Sequence, residues 1–241
     1  MKLAKNSIDK EKRLQAFKQY IEICEKKKEY VGLGNPCADI LLIGKEPSIK
    51  GNDEEHILRN IRDVKVCFEN NDLSCLYKQD KPAIANHTWN LYQKLIGYVY
   101  NYKCEDNKKT DFGTFAFTTE MNNTVSLRTA TADRKYRLDT FKKSSFIQDF
   151  PVVVLACSNY IHNIEGDWQI NETFNVTFDV EDGAHINYSP GNWFYTHHSR
   201  PDKKRLVIHT RQLSQNCNDE LLRDIAESIK SHLDFLNKIT K

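Results

Sequence analysis

Apolar residues along this chain recur at helical spacing in some segments and form short unbroken runs in others. Amphipathic spacing predicts helices over residues 9–28, 54–64, 86–102, 134–146 and 219–238. Ser7 precedes the first helix and Asn218 the last, and both are residue types that cap helix N-termini. The last helix also carries acidic residues in its first turn, where they favour the helix dipole.

Short apolar runs, and one run rich in aromatic and β-branched residues at 113–119, predict four core strands, over residues 39–43, 113–119, 151–156 and 205–209. The third run shows no polar alternation, as expected for a central parallel strand that is covered on both faces. Because helices separate the strands, we predict an α/β fold, a three-layer α/β/α sandwich around a central four-stranded parallel sheet. Residues 168–198 alternate between polar and apolar positions, which indicates a hairpin or irregular excursion there.

The chain length and composition are those of one globular domain. Its 241 residues are 39% hydrophobic and 28% charged. We expect a single domain over residues 1–241, with residues 1–30 as a helix packed on it and residues 160–200 as an excursion near the site. No stretch approaches the ~20 apolar residues of a membrane helix, and no signal-peptide core is present. These features predict a monomeric cytoplasmic protein with no membrane partner.

The cysteines and the net charge narrow the function only slightly. Seven cysteines without a Cys-x-x-Cys pair do not indicate disulfides in a reducing compartment, nor a zinc or iron–sulfur site. Cys24 and Cys157 are interpreted as small core residues. His197 and His198 are adjacent on a predicted strand and point to opposite faces, which argues against a shared metal ion. The formal charge of +2 neither requires nor excludes a nucleic-acid partner.

Polar segments follow three of the predicted strands. The segment Gly44-Lys45-Glu46-Pro47-Ser48 follows the first strand, Asn122 and Asn123 follow the second, and residues 209–214 follow the last. Because carboxyl ends of parallel strands meet at one edge, a carboxylate, side-chain amides and an imidazole converge there. Each of these groups also has a purely structural interpretation. The acid would be ion-paired and the asparagines would be turn residues. The histidine would be hydrogen-bonded at the end of its strand, and the leucine in the last segment would be a core residue.

Taken in order, the three segments resemble motifs of the uracil-DNA glycosylase superfamily. The first family motif has the form Gly-Gln-Asp-Pro-Tyr or Gly-Ile-Asn-Pro-Gly, and residues 44–48 keep its glycine and proline, with Glu46 at the Asp/Asn position. Asn123-Thr124 matches the family's Asn-Thr after the second strand. Residues 209–214 keep the His, Leu and final Ser of the last motif, His-Pro-Ser-Pro-Leu-Ser, and replace both prolines. The resemblance spans roughly residues 38–238.

The resemblance implies a site that flips a nucleotide out of the helix and needs neither a metal nor an organic cofactor. Glu46 would orient or deprotonate water, and His209 would donate a hydrogen bond to the departing base. Asn123 would read the base edge, Leu213 would fill the vacated space, and Phe68 would stack on the base. The remaining substrate-binding positions are Gly44, Lys45, Pro47, Ser48, Asn122, Arg211 and Ser214.

Two functions therefore remain open from the sequence. The first is a DNA glycosylase-like hydrolase that cleaves the N-glycosidic bond of uracil or a related damaged base. The alternative is a catalytically inactive module of the same fold that binds single- or double-stranded DNA or a nucleobase-containing ligand. An α/β-hydrolase of the serine type is disfavoured because the chain has no Gly-x-Ser-x-Gly elbow.

Overall fold

The computed structural model describes residues 7–45, 53–77, 79–80, 87–103, 109–122, 134–214 and 217–239. Seven α-helices lie in this part of the chain: α1 (Ser7–Lys27), α2 (Asp53–Glu69), α3 (His87–Tyr100), α4 (Arg134–Lys143), α5 (Ser145–Gln148), α6 (Gln169–Phe174) and α7 (Asp219–Ile239). Short 3-10 helices occupy Leu73–Leu76, Phe112–Thr114 and Ser158–Tyr160. None of the described helices is long and apolar enough to cross a bilayer.

Twelve β-strands alternate with these helices in the same part of the chain. They are β1 (Leu33–Gly34), β2 (Ile40–Gly44), β3 (Gln79–Asp80), β4 (Lys109–Thr110), β5 (Ala116–Glu120), β6 (Val152–Ala156), β7 (Asn163–Ile164), β8 (Asp167–Trp168), β9 (Thr177–Phe178), β10 (Ala184–His185), β11 (Phe194–His198) and β12 (Leu206–Thr210). Two short antiparallel pairs, β3 with β4 and β7 with β8, lie outside the main sheet.

The main sheet has eight strands and is mixed. Seven of them follow the order β1-β5-β2-β6-β12-β11-β10, and β9 also pairs with β11. β2 runs parallel to both β5 and β6, and β12 runs parallel to β6. β1, β9, β10 and β11 make antiparallel pairs. The α/β class is therefore confirmed, but the sheet is larger than four strands. β1 adds an antiparallel strand at one edge, and the 160–200 segment adds three more, β9, β10 and β11.

Helices cover both faces of β2 and its neighbours. Leu41 and Ile43 belong to an apolar cluster that also contains buried side chains of α1, α2, α4, α5 and α6. Ile40 and Leu42 belong to a second cluster, with buried side chains of α3 and α7. Every residue of β2, β6 and β12 is buried. Burial on both faces is the reason that these strands are apolar without alternation.

Several helices and strands begin or end at residues other than those predicted. The helix expected over residues 134–146 is two helices, because the Ser144 side chain accepts a hydrogen bond from the Ile147 N–H and caps α5. Gly113 and Thr114, expected in a strand, lie in a 3-10 helix before β5. Asn218 caps α7 as predicted, since its Oδ1 accepts the Glu220 N–H at 2.8 Å.

One cysteine prediction is wrong. Cys67 near the end of α2 and Cys75 in the following 3-10 helix form a disulfide, with a sequence separation of 8. The turn between the two helices brings these thiols together, which their spacing in the sequence does not reveal. Cys24 and Cys157 are buried free thiols, as predicted.

A buried arginine connects several layers of the fold. Arg137 of α4 donates to the Glu29 carboxylate at 2.9 Å and to Thr119 Oγ1 at 2.8 Å. It also donates to the backbone carbonyls of Tyr30 and Glu120. Its side chain is 1% exposed and that of Glu29 6%. Arg137 therefore neutralises a buried acid and fixes the carboxyl end of β5 in one arrangement.

Replacing Arg137 by methionine should strongly destabilise the protein, because it leaves the Glu29 carboxylate buried without its ion pair. Breaking a buried pair in this way costs roughly 3–5 kcal/mol. Urea unfolding at pH 7 measures the loss. Lys143→Met is the matched control: its ion pair with Asp139 is exposed, so the free energy of unfolding should change by less than about 1 kcal/mol. Similar losses in both variants would contradict the role given to Arg137.

His197 of β11 is buried without a hydrogen-bond partner for either ring nitrogen. Burial, followed by the proximity of His209, lowers the pKa of His197 to about 4. Between that value and the unfolded-state pKa of about 6.5, the unfolded chain binds a proton that the folded protein does not. The free energy of unfolding therefore decreases as the pH falls through this window.

His197→Phe should make stability less sensitive to acid. The variant should lose about 2 kcal/mol less than the parent protein when the pH is lowered from 7 to 5, because phenylalanine has no proton to bind in the unfolded state. Urea unfolding of both proteins at the two pH values gives the comparison. Equal losses in parent and variant would exclude His197 as a source of acid sensitivity.

Candidate functional site at the carboxyl edge of the sheet

The strand order creates a topological switch point at the carboxyl edge of the sheet, referred to below as the carboxyl-edge crevice. From β2 the chain continues to β5 on one side, and it later forms β6 on the other side of β2. The chain leaves β2 toward β5 and leaves β6 toward the β12 side of the sheet, so the loops after β2 and β6 run in opposite directions. Open α/β sheets bind ligands at such a switch point, outside the carboxyl ends of the strands.

The segments that follow β2 and β5 are joined at this edge. The carbonyl of Gly44 accepts the Met121 N–H at 2.9 Å, and that of Lys45 accepts the Asn122 N–H at 2.7 Å. The Glu120 carboxylate lies against Gly44, where a side chain would displace it. Asn122 is fully buried. The first two sequence segments therefore meet, as expected from their positions after neighbouring parallel strands.

The 3-10 helix after β6 links these segments to the one after β12. Nε2 of His209 lies 2.8 Å from the Ser158 carbonyl oxygen, and the Gln212 N–H donates to Ser158 Oγ at 3.0 Å. On the other side, Lys45 Nζ lies 5.0 Å from the centre of the Tyr160 ring. Ser158–Tyr160 therefore contacts the segments after both β2 and β12.

Sequence reasoning missed this linking segment. Ser158 has a φ of 50°, in the left-handed region that few residues other than glycine adopt. Strained backbone of this kind is often found at functional sites. The position of the segment in the sequence could have indicated it, because Ser158 and Asn159 are polar residues directly after the clearest apolar strand. Like the three predicted segments, these residues follow a parallel strand and therefore lie at the carboxyl edge of the sheet.

The surroundings of His209 favour its neutral form. Burial lowers its pKa, the Ser158 carbonyl partly offsets this effect, and nearby His162 lowers the pKa further. Because a carbonyl oxygen can only accept, the hydrogen bond to Ser158 places the imidazole proton on Nε2. Nδ1 is then an acceptor. In this arrangement His209 therefore holds the loop after β6 through its only ring N–H.

Aromatic rings at the start of β11 and directly before it flank His209. The Trp193 ring lies 5.0 Å from the His209 ring, edge to face, and the Tyr195 ring lies 6.4 Å from it. Both side chains are partly exposed. Tyr195 belongs to β11, which pairs with β12, and Trp193 directly precedes that strand. The 160–200 segment therefore contributes directly to the surroundings of His209.

Two side chains lie in positions that do not suit the roles expected of them. Leu213 is fully buried in the apolar cluster shared with α3 and α7, so it is a core leucine and cannot enter a duplex from this position. Phe68 packs edge to face on Phe17, at a centroid distance of 5.9 Å, near the end of α2. A helix that leaves the carboxyl edge after β2 ends far from it, so the base-stacking role of Phe68 is not supported.

The other predicted positions divide into two groups. Arg211 and Ser214 are partly exposed after β12, and Arg211 Nη1 donates to Asn192 Oδ1 at 3.4 Å. The remaining predicted positions lie outside the described residues: Glu46, Pro47, Ser48 and Asn123. Within the described part of the chain, no group of three or more His, Cys, Asp or Glu side chains is arranged to hold a metal ion.

Comparisons with known proteins identify no relative of this chain. The chain matches no protein-family model, and searches of curated proteins and of solved structures find no significant match.

Proposed function

We propose that the chain is a DNA glycosylase-like hydrolase with a uracil-DNA glycosylase-like fold, built around four central parallel strands. It would flip a nucleotide into the carboxyl-edge crevice and hydrolyse the N-glycosidic bond of uracil or a related damaged base. The observation that carries the proposal is the contact of Ser158–Tyr160 with both Lys45 and His209. This contact joins separate motif segments at the switch point of the sheet.

The proposed chemistry divides between a carboxylate and polar groups around the base. Glu46, directly after Lys45 in the chain, would orient water and stabilise the cationic sugar. Asn122 and Asn123, which follow β5 in the chain, would supply side-chain amides to pair with the base edge. Lys45 and Arg211 are cationic groups at the same edge, suited to the charge that develops on the departing base or to DNA phosphates.

One observation favours the alternative, a binding module without catalysis. The hydrogen bond to Ser158 uses the proton of the neutral His209 ring. Donation to a departing base would then require this hydrogen bond to break. A module that only binds a nucleobase has no such requirement, since Nδ1 can accept a hydrogen bond from an imide or amine group of the base.

A strand-cleavage assay tests the proposal. The protein should convert uracil in an oligonucleotide to an alkali-labile abasic site, in single or double strands. Glu46→Ala should reduce the rate by about 10²–10⁴-fold, the usual contribution of a general base. Glu11→Ala, which removes an exposed acid on α1, is the matched control and should keep the parental rate. No abasic sites across a panel of damaged bases would refute the hydrolase proposal.

Histidine variants separate the two functions. For a hydrolase, His209→Ala should lose activity while the control His87→Ala, an exposed residue at the start of α3, retains it. A binding module should instead show a rise in melting temperature with uracil-containing oligonucleotides and no cleavage. Neither cleavage nor thermal stabilisation would exclude both functions.

A further inference from the structure

A groove on the α7 side of the sheet lies apart from the segments of the candidate site. It encloses about 750 Å³ between α7 and the strands β10, β11 and β12. Phe194, Thr196 and His198 alternate along β11 and line one wall, and His232 of α7 lies in the opposite wall. Three histidines therefore line the groove: His198 and His232, from elements distant in sequence, and His185, whose ring stacks on Phe194 at 4.0 Å.

His198 has the hydrogen bond of a preoriented metal ligand. Its Nδ1 lies 2.7 Å from Asp179 Oδ2. The backbone N–H of Asp179 donates to the Thr196 carbonyl, which fixes the acid beside β11. Since an ionised carboxylate only accepts, Nδ1 carries the proton and Nε2 keeps its lone pair. Metal-binding histidines commonly donate their second ring N–H to a carboxylate in this way.

His232 supplies a second ring nitrogen without a partner. The residue is 5% exposed, and its Nε2 is buried with no hydrogen-bond partner. Its ring centre lies 5.4 Å from that of His198. Two imidazoles bound to one tetrahedral ion through nitrogens at about 2.0–2.1 Å have ring centres about 5 Å apart. The spacing of the two rings therefore suits a shared ion.

We propose that His198 and His232 bind one divalent transition-metal ion of the zinc class. Imidazole ligands favour zinc, copper or nickel over magnesium and calcium. Asp182, Asp224 and Glu227 line the same groove, against the one lysine Lys203, so its charge favours a cation. The described residues offer no third ligand in suitable position, so the remaining coordination positions are open to water or to a ligand in the groove.

Isothermal titration calorimetry with zinc chloride, on tag-free protein pretreated with a chelator, tests the site. One ion should bind per chain, and magnesium chloride should give no binding. His198→Ala and His232→Gln should each abolish the zinc signal. Asp179→Asn should weaken zinc binding by about 10–100-fold, the usual effect of losing the acid behind a ligating histidine. Circular dichroism checks that each variant is folded.

His162→Ala is the matched control. His162 also pairs with a carboxylate, that of Asp167 at 2.9 Å, but it does not line the groove. This variant should bind zinc like the parent protein. The proposal is overturned if the parent protein binds no zinc, if the folded His198→Ala variant binds it unchanged, or if His162→Ala loses it equally. His198 is partly exposed, so its variant decides the question even if the His232 variant does not fold.

Discussion

The position of β2 between β5 and β6, parallel to both, is the constraint on which the candidate site depends. All five residues of β2 are buried, and helices cover both of its faces. Such a strand can pair only in a register that keeps each apolar side chain in its own layer. The carboxyl ends of β2, β5 and β6 are therefore fixed relative to one another, and polar residues after them share one edge.

Polar groups beneath that edge complete the arrangement. Arg137 binds Thr119 and the Glu120 carbonyl at the end of β5 and anchors both to Glu29, in the segment between α1 and β1. Ser158, in a left-handed conformation, plays the corresponding part after β6. Charge-assisted bonds of a buried arginine stabilise one arrangement strongly, so the backbone around Gly44 and Asn122 is held by interactions outside the crevice itself.

The sequence predicted what depends on local pattern and missed what depends on distant pairing. Strands such as Val152–Ala156 and the Asn218 cap of α7 were predicted because apolar runs and capping residues act within a few positions. Four of the five antiparallel strands of the 160–200 segment are only two residues long, too short for a periodic signal. The Cys67–Cys75 disulfide and the Asp179–His198–His232 cluster need contacts that no spacing in the sequence specifies.

Burial determines what the histidines of this sheet can do chemically. Burial disfavours the protonated form of His209, so the ring is better suited to hydrogen bonding than to carrying positive charge. Under the proposed glycosylase function, stabilisation of an anionic base at this edge would therefore have to come from permanent cations. Lys45 lies beside Tyr160 and Arg211 beside Asn192, on the two sides of the segment that His209 holds. In the proposed hydrolase, the histidine would therefore position the loop, and the lysine and arginine would supply the charge.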